Sequence, residues 1–148
     1  MMNEKYLIPN EGRILAVDLG EKRIGLAVCD ELQNLARPLQ VLQHVSRSQN
    51  INRIQTIAGS LGIVGIIVGV TTDDDINLNV SGQRSALFAE SLQAAIKIPV
   101  VLWNEDFSTK NTKSNMIDAG VPKMKRRGHL DAHTAALILQ TYLDAEKA

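Results

Sequence analysis

RILAVDLGEKRIGLAVC, residues 13–29, is the stretch on which the reading of the fold turns. Arg13 to Asp18 and Arg23 to Cys29 each read as a strand, and Leu19-Gly20-Glu21-Lys22 between them supplies the glycine of a tight reversal. The chain therefore opens on an antiparallel hairpin. A third short strand is expected around Pro38 to Leu42. From about Ser48 to Leu61, Ile51, Ile54, Ala58 and Leu61 recur at helical spacing. Ile63 to Val70 is a nearly continuous β-branched run, the pattern of a strand covered on both faces. Thr71 to Ser81 is polar and reads as a loop. Leu87, Phe88, Leu92 and Ala95 form the face of the next helix, and Pro99 to Trp103 another buried strand. Ser108 or Thr109 can cap a helix running to about Ala119, where Gly120 and Pro122 stop it. A final helix from about Leu130 carries Ala135, Ile138, Leu139 and Tyr142 on one face. Three strands followed by βα alternation imply an α/β fold with a mixed sheet flanked by helices. A flavodoxin-like sheet would alternate from its first strand.

The bulk properties narrow the class. With 148 residues, 45% of them hydrophobic, the chain has the size and apolar content of one domain over residues 1–148. Its single cysteine, Cys29, cannot form an intramolecular disulfide and suits a reducing compartment. The longest apolar stretch, Leu61 to Val70, falls far short of the ~20 residues that cross a bilayer. The N-terminus lacks the layout of a secretory signal. A cytoplasmic protein with no membrane partner is expected. Lysine plus arginine and aspartate plus glutamate both number 16, so no global cationic field announces nucleic acid. The distribution is less even: no acid lies between Asp118 and Asp131, where Lys123, Lys125, Arg126, Arg127 and His129 fall.

Three carboxylates end rows that are otherwise apolar. Strand alternation puts Ile14, Ala16 and Asp18 on one side of the first strand, and Val101, Trp103 and Glu105 on one side of the last. Asp131 precedes Ala135 by four residues, on the inward stripe of the final helix and in its first turn. Singly, each acid has an ordinary role open to it, as a turn cap, an ion-pair partner or a first-turn acid. Jointly, three converging carboxylates repel one another unless protonated or shared by a cation, and ligands that are all oxygen suit Mg²⁺ or Mn²⁺. Phosphoryl transfer uses such a site.

Asp18-Leu-Gly-Glu-Lys-Arg-Ile-Gly-Leu-Ala-Val-Cys-Asp30 resembles the opening motif of the YqgF family, described both as Holliday junction resolvases and as pre-16S rRNA nucleases. Val68-Gly69, Val100-Val-Leu-Trp-Asn-Glu105, Ser108-Thr109, and Asp131 followed by Ala135-Ala-Leu-Ile-Leu-Gln-Thr-Tyr-Leu-Asp144 are similar to its later motifs, in order, over about residues 13–144. The resemblance implies a ribonuclease H-like fold with a mixed five-stranded sheet and a divalent metal. It carries over Asp18, Glu105 and Asp131 as catalytic, metal-binding acids, and Lys22-Arg23 as the family's basic pair. The chain departs from the pattern twice. Gly69-Val70-Thr71 stands where the family has Gly-Leu-Pro, and Asn104-Glu105-Asp106 where it has Asp-Glu-Arg.

Beside such a site, Lys123, Lys125, Arg126 and Arg127 read as a basic loop that holds a nucleic-acid backbone, and His129 can touch a phosphate or assist a proton transfer. Asp73, Asp74 and Asp75 read as a solvated acidic run, His133 as a surface residue and Trp103 as core. The expected function is metal-dependent hydrolysis of phosphodiester bonds in structured nucleic acid, foremost 5′-end processing of pre-16S rRNA, with Holliday junction cleavage on branched DNA as the alternative. A phosphotransferase of the actin and sugar-kinase superfamily would need a second such domain. A non-catalytic ribosome-assembly module is the rival from another class, against which the three intact acids count. Monomer and homodimer are both open.

Overall fold

A computed structural model describes residues 7–70, 75–104 and 123–147, with backbone alone described for 75–81, 104 and 123–131. The elements are β1 (Arg13–Leu19), β2 (Arg23–Cys29), β3 (Ala36–Gln43), α1 (Arg47–Leu61), β4 (Ile63–Val70), α2 (Asp75–Ala95), β5 (Val100–Asn104) and α3 (Lys123–Lys147). They build one five-stranded sheet in the order β3-β2-β1-β4-β5. β1 pairs antiparallel with β2, and β2 with β3, whereas β1 with β4 and β4 with β5 are parallel. This is the mixed sheet that the hairpin and the later βα alternation imply.

Alternation sorts the core into two layers. Leu15 and Val17 of β1, with Ile66 and Val68 of β4, pack beneath Ile51, Ile54 and Ala58 of α1 and Phe88, Ala89 and Leu92 of α2. Ile14 and Ala16, with Ile67, face the other way onto Ala135, Ile138, Leu139, Tyr142 and Leu143 of α3. α1 starts at the N-cap Ser46, whose hydroxyl accepts from the Gln49 N–H at 3.3 Å, and stops at Gly62 in the left-handed conformation.

Four expectations change. α2 begins at Asp75, so most of the stretch read as a loop is helix. Asn77, Asn79, Ser81 and Gly82 are weak helix formers, which is why the stretch reads as a loop, but propensity is only a weak prior. The buried face of α2 is Ser85, Phe88, Ala89 and Leu92, while Leu87 is 50% exposed and Ala95 lies in solvent. Among the described strands β5 lies at the edge of the sheet, with Leu102 42% exposed, rather than buried on both faces. Finally, α3 starts at Lys123, so the basic segment Lys123 to His129 forms its first turns instead of a loop. Lysine, methionine and arginine are good helix formers, and they carry the helix through Gly128. The helix expected from Ser108 or Thr109 to Ala119 lies outside the described residues.

The β2–β3 connection is held by one carboxylate. Asp30 accepts backbone N–H bonds from Leu32, Asn34 and Leu35 at 3.1, 2.9 and 2.7 Å. These bonds, the Leu35 N–H foremost, lower its pKa below the ordinary carboxylate value. The charged form is thus favoured in the folded state, and its contribution is complete above the unfolded-state value and lost as pH falls through the folded one. The amide resonances of Leu32, Asn34 and Leu35 should titrate together in acid, with a midpoint below the ordinary value of about 3.9. A midpoint at or above that value would contradict these bonds.

Candidate active site

The parallel strands β1, β4 and β5 finish at the same end of the sheet, and the register aligns Val17 with Val68, Gly69 with Trp103 and Val70 with Asn104. In open α/β sheets, ligands bind outside the carboxyl ends of the strands. Asp18 is the last residue but one of β1, half-buried, opposite Gly25 of β2. It continues the side of β1 on which Ile14 and Ala16 lie against α3, so its carboxylate ends an apolar row as the alternation implied. The hairpin that follows is tight. The Gly20 N–H donates to the Arg23 carbonyl at 2.9 Å, and a Cβ on Gly20 would stand 2.6 Å from that same oxygen. A glycine is therefore needed where the chain turns away from Asp18 and presents Lys22 to solvent.

Trp103 packs on the layer beneath α3. Its indole N–H donates to the Thr141 hydroxyl at 3.0 Å, and its ring meets Tyr142 edge-on at 5.4 Å. Burial pushes the Tyr142 phenol up to about 12, with help from the charge of Glu146, so this hydroxyl stays protonated. Trp103 thus fixes the end of β5 against α3, two residues before Glu105. The direction of α3 is set at its far end. The Gln140 carboxamide accepts from the Ala36 N–H at 2.9 Å and donates to the Asn34 carbonyl at 3.1 Å, and Lys147 reaches the Asn34 side chain. Asn34 and Ala36 lie where β2 ends and β1 begins. The C-terminal half of α3 is anchored at that end, and its N-terminal half extends toward the end where β1 finishes.

The structure brings Asp18, Lys22 and Arg23 together on the hairpin. Glu105 lies outside the described residues, as do Asp73 and Asp74. Asp131, Lys123, Lys125, Arg126, Arg127 and His129 are placed in α3 by their backbone only, and because the helix starts at Lys123 rather than near Leu130, Asp131 lies beyond its first turn instead of in it. His133 is exposed, as expected. A hollow lined by Glu11, Arg13, Glu31 and Leu61 opens at the opposite end of β1.

Residues that the motifs did not single out also adjoin the hairpin. The His44 N–H donates to the Lys22 carbonyl at 2.9 Å, which brings the β3–α1 turn against it. The available signal was an absence: no acid occurs between Glu31 and Asp73.

Residues 12–145 match the family described as RuvX, Holliday junction resolvase. A protein of Syntrophus aciditrophicus, named as a candidate pre-16S rRNA nuclease, is 38% identical over 133 residues, covering 90% of this chain and 89% of its own. One of Thermoanaerobacter pseudethanolicus with the same name is 34% identical, covering 91% and 98%. Among solved structures, RuvC of T. thermophilus in complex with a Holliday junction aligns with a TM-score of 0.52 at 16% identity, over 92% of this chain and 96% of that one. The fowlpox virus Holliday junction resolvase aligns at 0.51 with 14% identity, over 90% and 99%. These two likenesses establish a resolvase-type, ribonuclease H-like fold. No described helix is long and apolar enough to cross a membrane. Fold, motifs and relatives together place this chain in the RuvX family, the YqgF family of the motif resemblance, a family of nucleases that hydrolyse phosphodiester bonds.

Proposed function

We propose that the chain is a divalent-metal-dependent nuclease that cuts structured nucleic acid at the end of the sheet where β1 finishes. The observation that carries this reading is Asp18: a half-buried carboxylate closing an apolar row at the carboxyl end of β1. An oxygen donor in such a place is what Mg²⁺ or Mn²⁺ prefers. Asp18, Glu105 and Asp131 are assigned as the metal-holding acids. When bound, the metal supplies an activated water and stabilises the departing oxygen. Asp18 presents its carboxylate from a strand fixed on both sides by β2 and β4, so little reorganisation accompanies binding. Lys22 and Arg23, with Lys123, Lys125, Arg126 and Arg127, hold the phosphates flanking the scissile bond. His129 contacts a phosphate or assists proton transfer. Products carry a 5′ phosphate.

The names of the relatives favour pre-16S rRNA as substrate, and the family description favours a four-way DNA junction; we take the first as leading and the second as its alternative. Cys29 is 2% exposed, and burial raises its thiol pKa, which fits a reduced cysteine in the cytoplasm. The test is a cleavage assay on both substrates with Mg²⁺ or Mn²⁺, with chelator as control. Cleavage of precursor RNA that chelator removes is expected. Intact RNA beside a resolved junction would transfer the assignment to the alternative. No metal-dependent cleavage of either would leave the non-catalytic assembly module in its place.

A further inference from the structure

The run without acids from Leu32 to Thr72 contains Arg37, His44, Arg47 and Arg53. The fold separates Arg37, which pairs with Val28 at the far end of β3, from the other three, which gather at the hairpin end. The His44 N–H donates to the Lys22 carbonyl at 2.9 Å, and Arg53 Nη1 donates to the Gln43 carbonyl at 3.0 Å. Arg47 opens α1 directly after the cap Ser46, in a first turn that contains no acid. Glu21 and Asp18 share the hairpin; against them stand Lys22, Arg23, Arg47 and Arg53.

A buried side chain organises this corner. Asn50 is 0% exposed, yet it is polar, and its two ends are spent on the turn before α1. Its Oδ1 accepts from the Val45 N–H at 3.2 Å, which fixes the orientation of the amide. Nδ2 therefore faces His44 Nδ1, 3.3 Å away, as a donor. An acceptor at Nδ1 leaves the ring proton on Nε2, so the exposed imidazole offers a defined N–H. The result is one fixed N–H donor between Lys22 and Arg47, with Arg53 behind them.

We propose that His44, Arg47 and Arg53, adjoining Lys22, form a second backbone-binding surface, which holds an arm of the nucleic acid away from the scissile phosphate on the α1 face of the sheet. The inference rests on the nuclease reading and extends it to residues that reading leaves out. β3 lies two strands from β1, about 10 Å at ordinary strand spacing. That corresponds to about three phosphates along one strand of a duplex. α1 and α3 cover opposite faces of the sheet, so the basic first turns of α3 and this corner flank the sheet end from two sides. A bent or branched substrate fits that arrangement better than a short single strand. Phosphate contacts position a substrate without reading its sequence, so the surface adds affinity for any sequence.

The two new side chains on either side of the cap give separable signatures. Binding of a labelled four-way DNA junction and of a labelled RNA stem is measured against salt concentration without added metal, for the wild type and for His44→Ala and Arg47→Ala. Arg47→Ala removes a cation, and the slope of log affinity against log salt should fall by about 0.9 on duplex DNA. His44→Ala removes an N–H donor, and affinity should fall about fivefold with the slope unchanged. Single-turnover cleavage at saturating substrate should stay within about twofold for both, since β3, after which both residues follow, lies two strands from the β1 that carries Asp18. Wild-type affinity and slope in both variants, in a protein that binds and cuts, would overturn this surface alone. If the wild type bound neither probe at low salt, the nuclease reading itself would fall, and this surface with it.

Discussion

Replacing Asp18 with asparagine should abolish metal-dependent cleavage while the protein stays folded. The amide is nearly isosteric with the carboxylate but carries no charge, so the pairing of β1 with β2 and β4 survives and the hard cation loses an oxyanion ligand. Loss of a partner one shell removed from a metal costs about 10–100-fold, so loss of a direct ligand should exceed about 100-fold. The check is single-turnover cleavage beside far-ultraviolet circular dichroism and melting of the same preparation. A variant that cuts at the wild-type rate, with contaminating nuclease excluded, would remove Asp18 from the site.

The second large effect concerns stability and the layer under α3. Leu139 is 0% exposed and packs with Ile14, Ala16 and Ile67 of the sheet. Truncation to alanine removes that burial and leaves a cavity between a strand and a helix that cannot collapse freely. Denaturant unfolding should show Leu139→Ala less stable by about 2–5 kcal/mol. Leu87→Ala is the control. Leu87 has the same chemistry but is 50% exposed on the outer face of α2, and its loss should stay within about 0.5 kcal/mol. Equal effects at the two positions would contradict the assigned helix faces.

That pair also marks how far the sequence could be read. Where one periodicity dominated, the elements followed it closely. The β-branched run Ile63–Val70 is β4, residue for residue, and the Ala135, Ile138, Leu139, Tyr142 stripe is the inner face of α3. Asp18 was legible for the same reason: a charge at the end of the row Ile14, Ala16 is a local anomaly that alternation exposes. α2 was harder to read. Leu87 and Phe88 are adjacent and both apolar, and only packing against Leu15, Val17 and Val68 decides that Phe88 and Ala89 turn inward. The basic start of α3 looked like a loop because charge and Gly128 masked its intrinsic helix propensity. Edge position is likewise invisible locally, since Val100 to Trp103 is as apolar as a central strand and only strand order places it outside. The His44–Asn50 bond could not be read at all, because an asparagine inside a helix pattern is ordinarily solvated, and here it is buried.

Asp18, Glu105 and Asp131 are proposed to share one divalent cation. Anomalous diffraction from crystals grown with Mn²⁺ measures this most directly. Mn²⁺ is expected within about 2.3 Å of a carboxylate oxygen from each of the three residues, at the end of the sheet where β1, β4 and β5 finish. Manganese bound instead by Asp73, Asp74 and Asp75, with Asp18 making no contact to it, would remove all three acids from the proposed metal site.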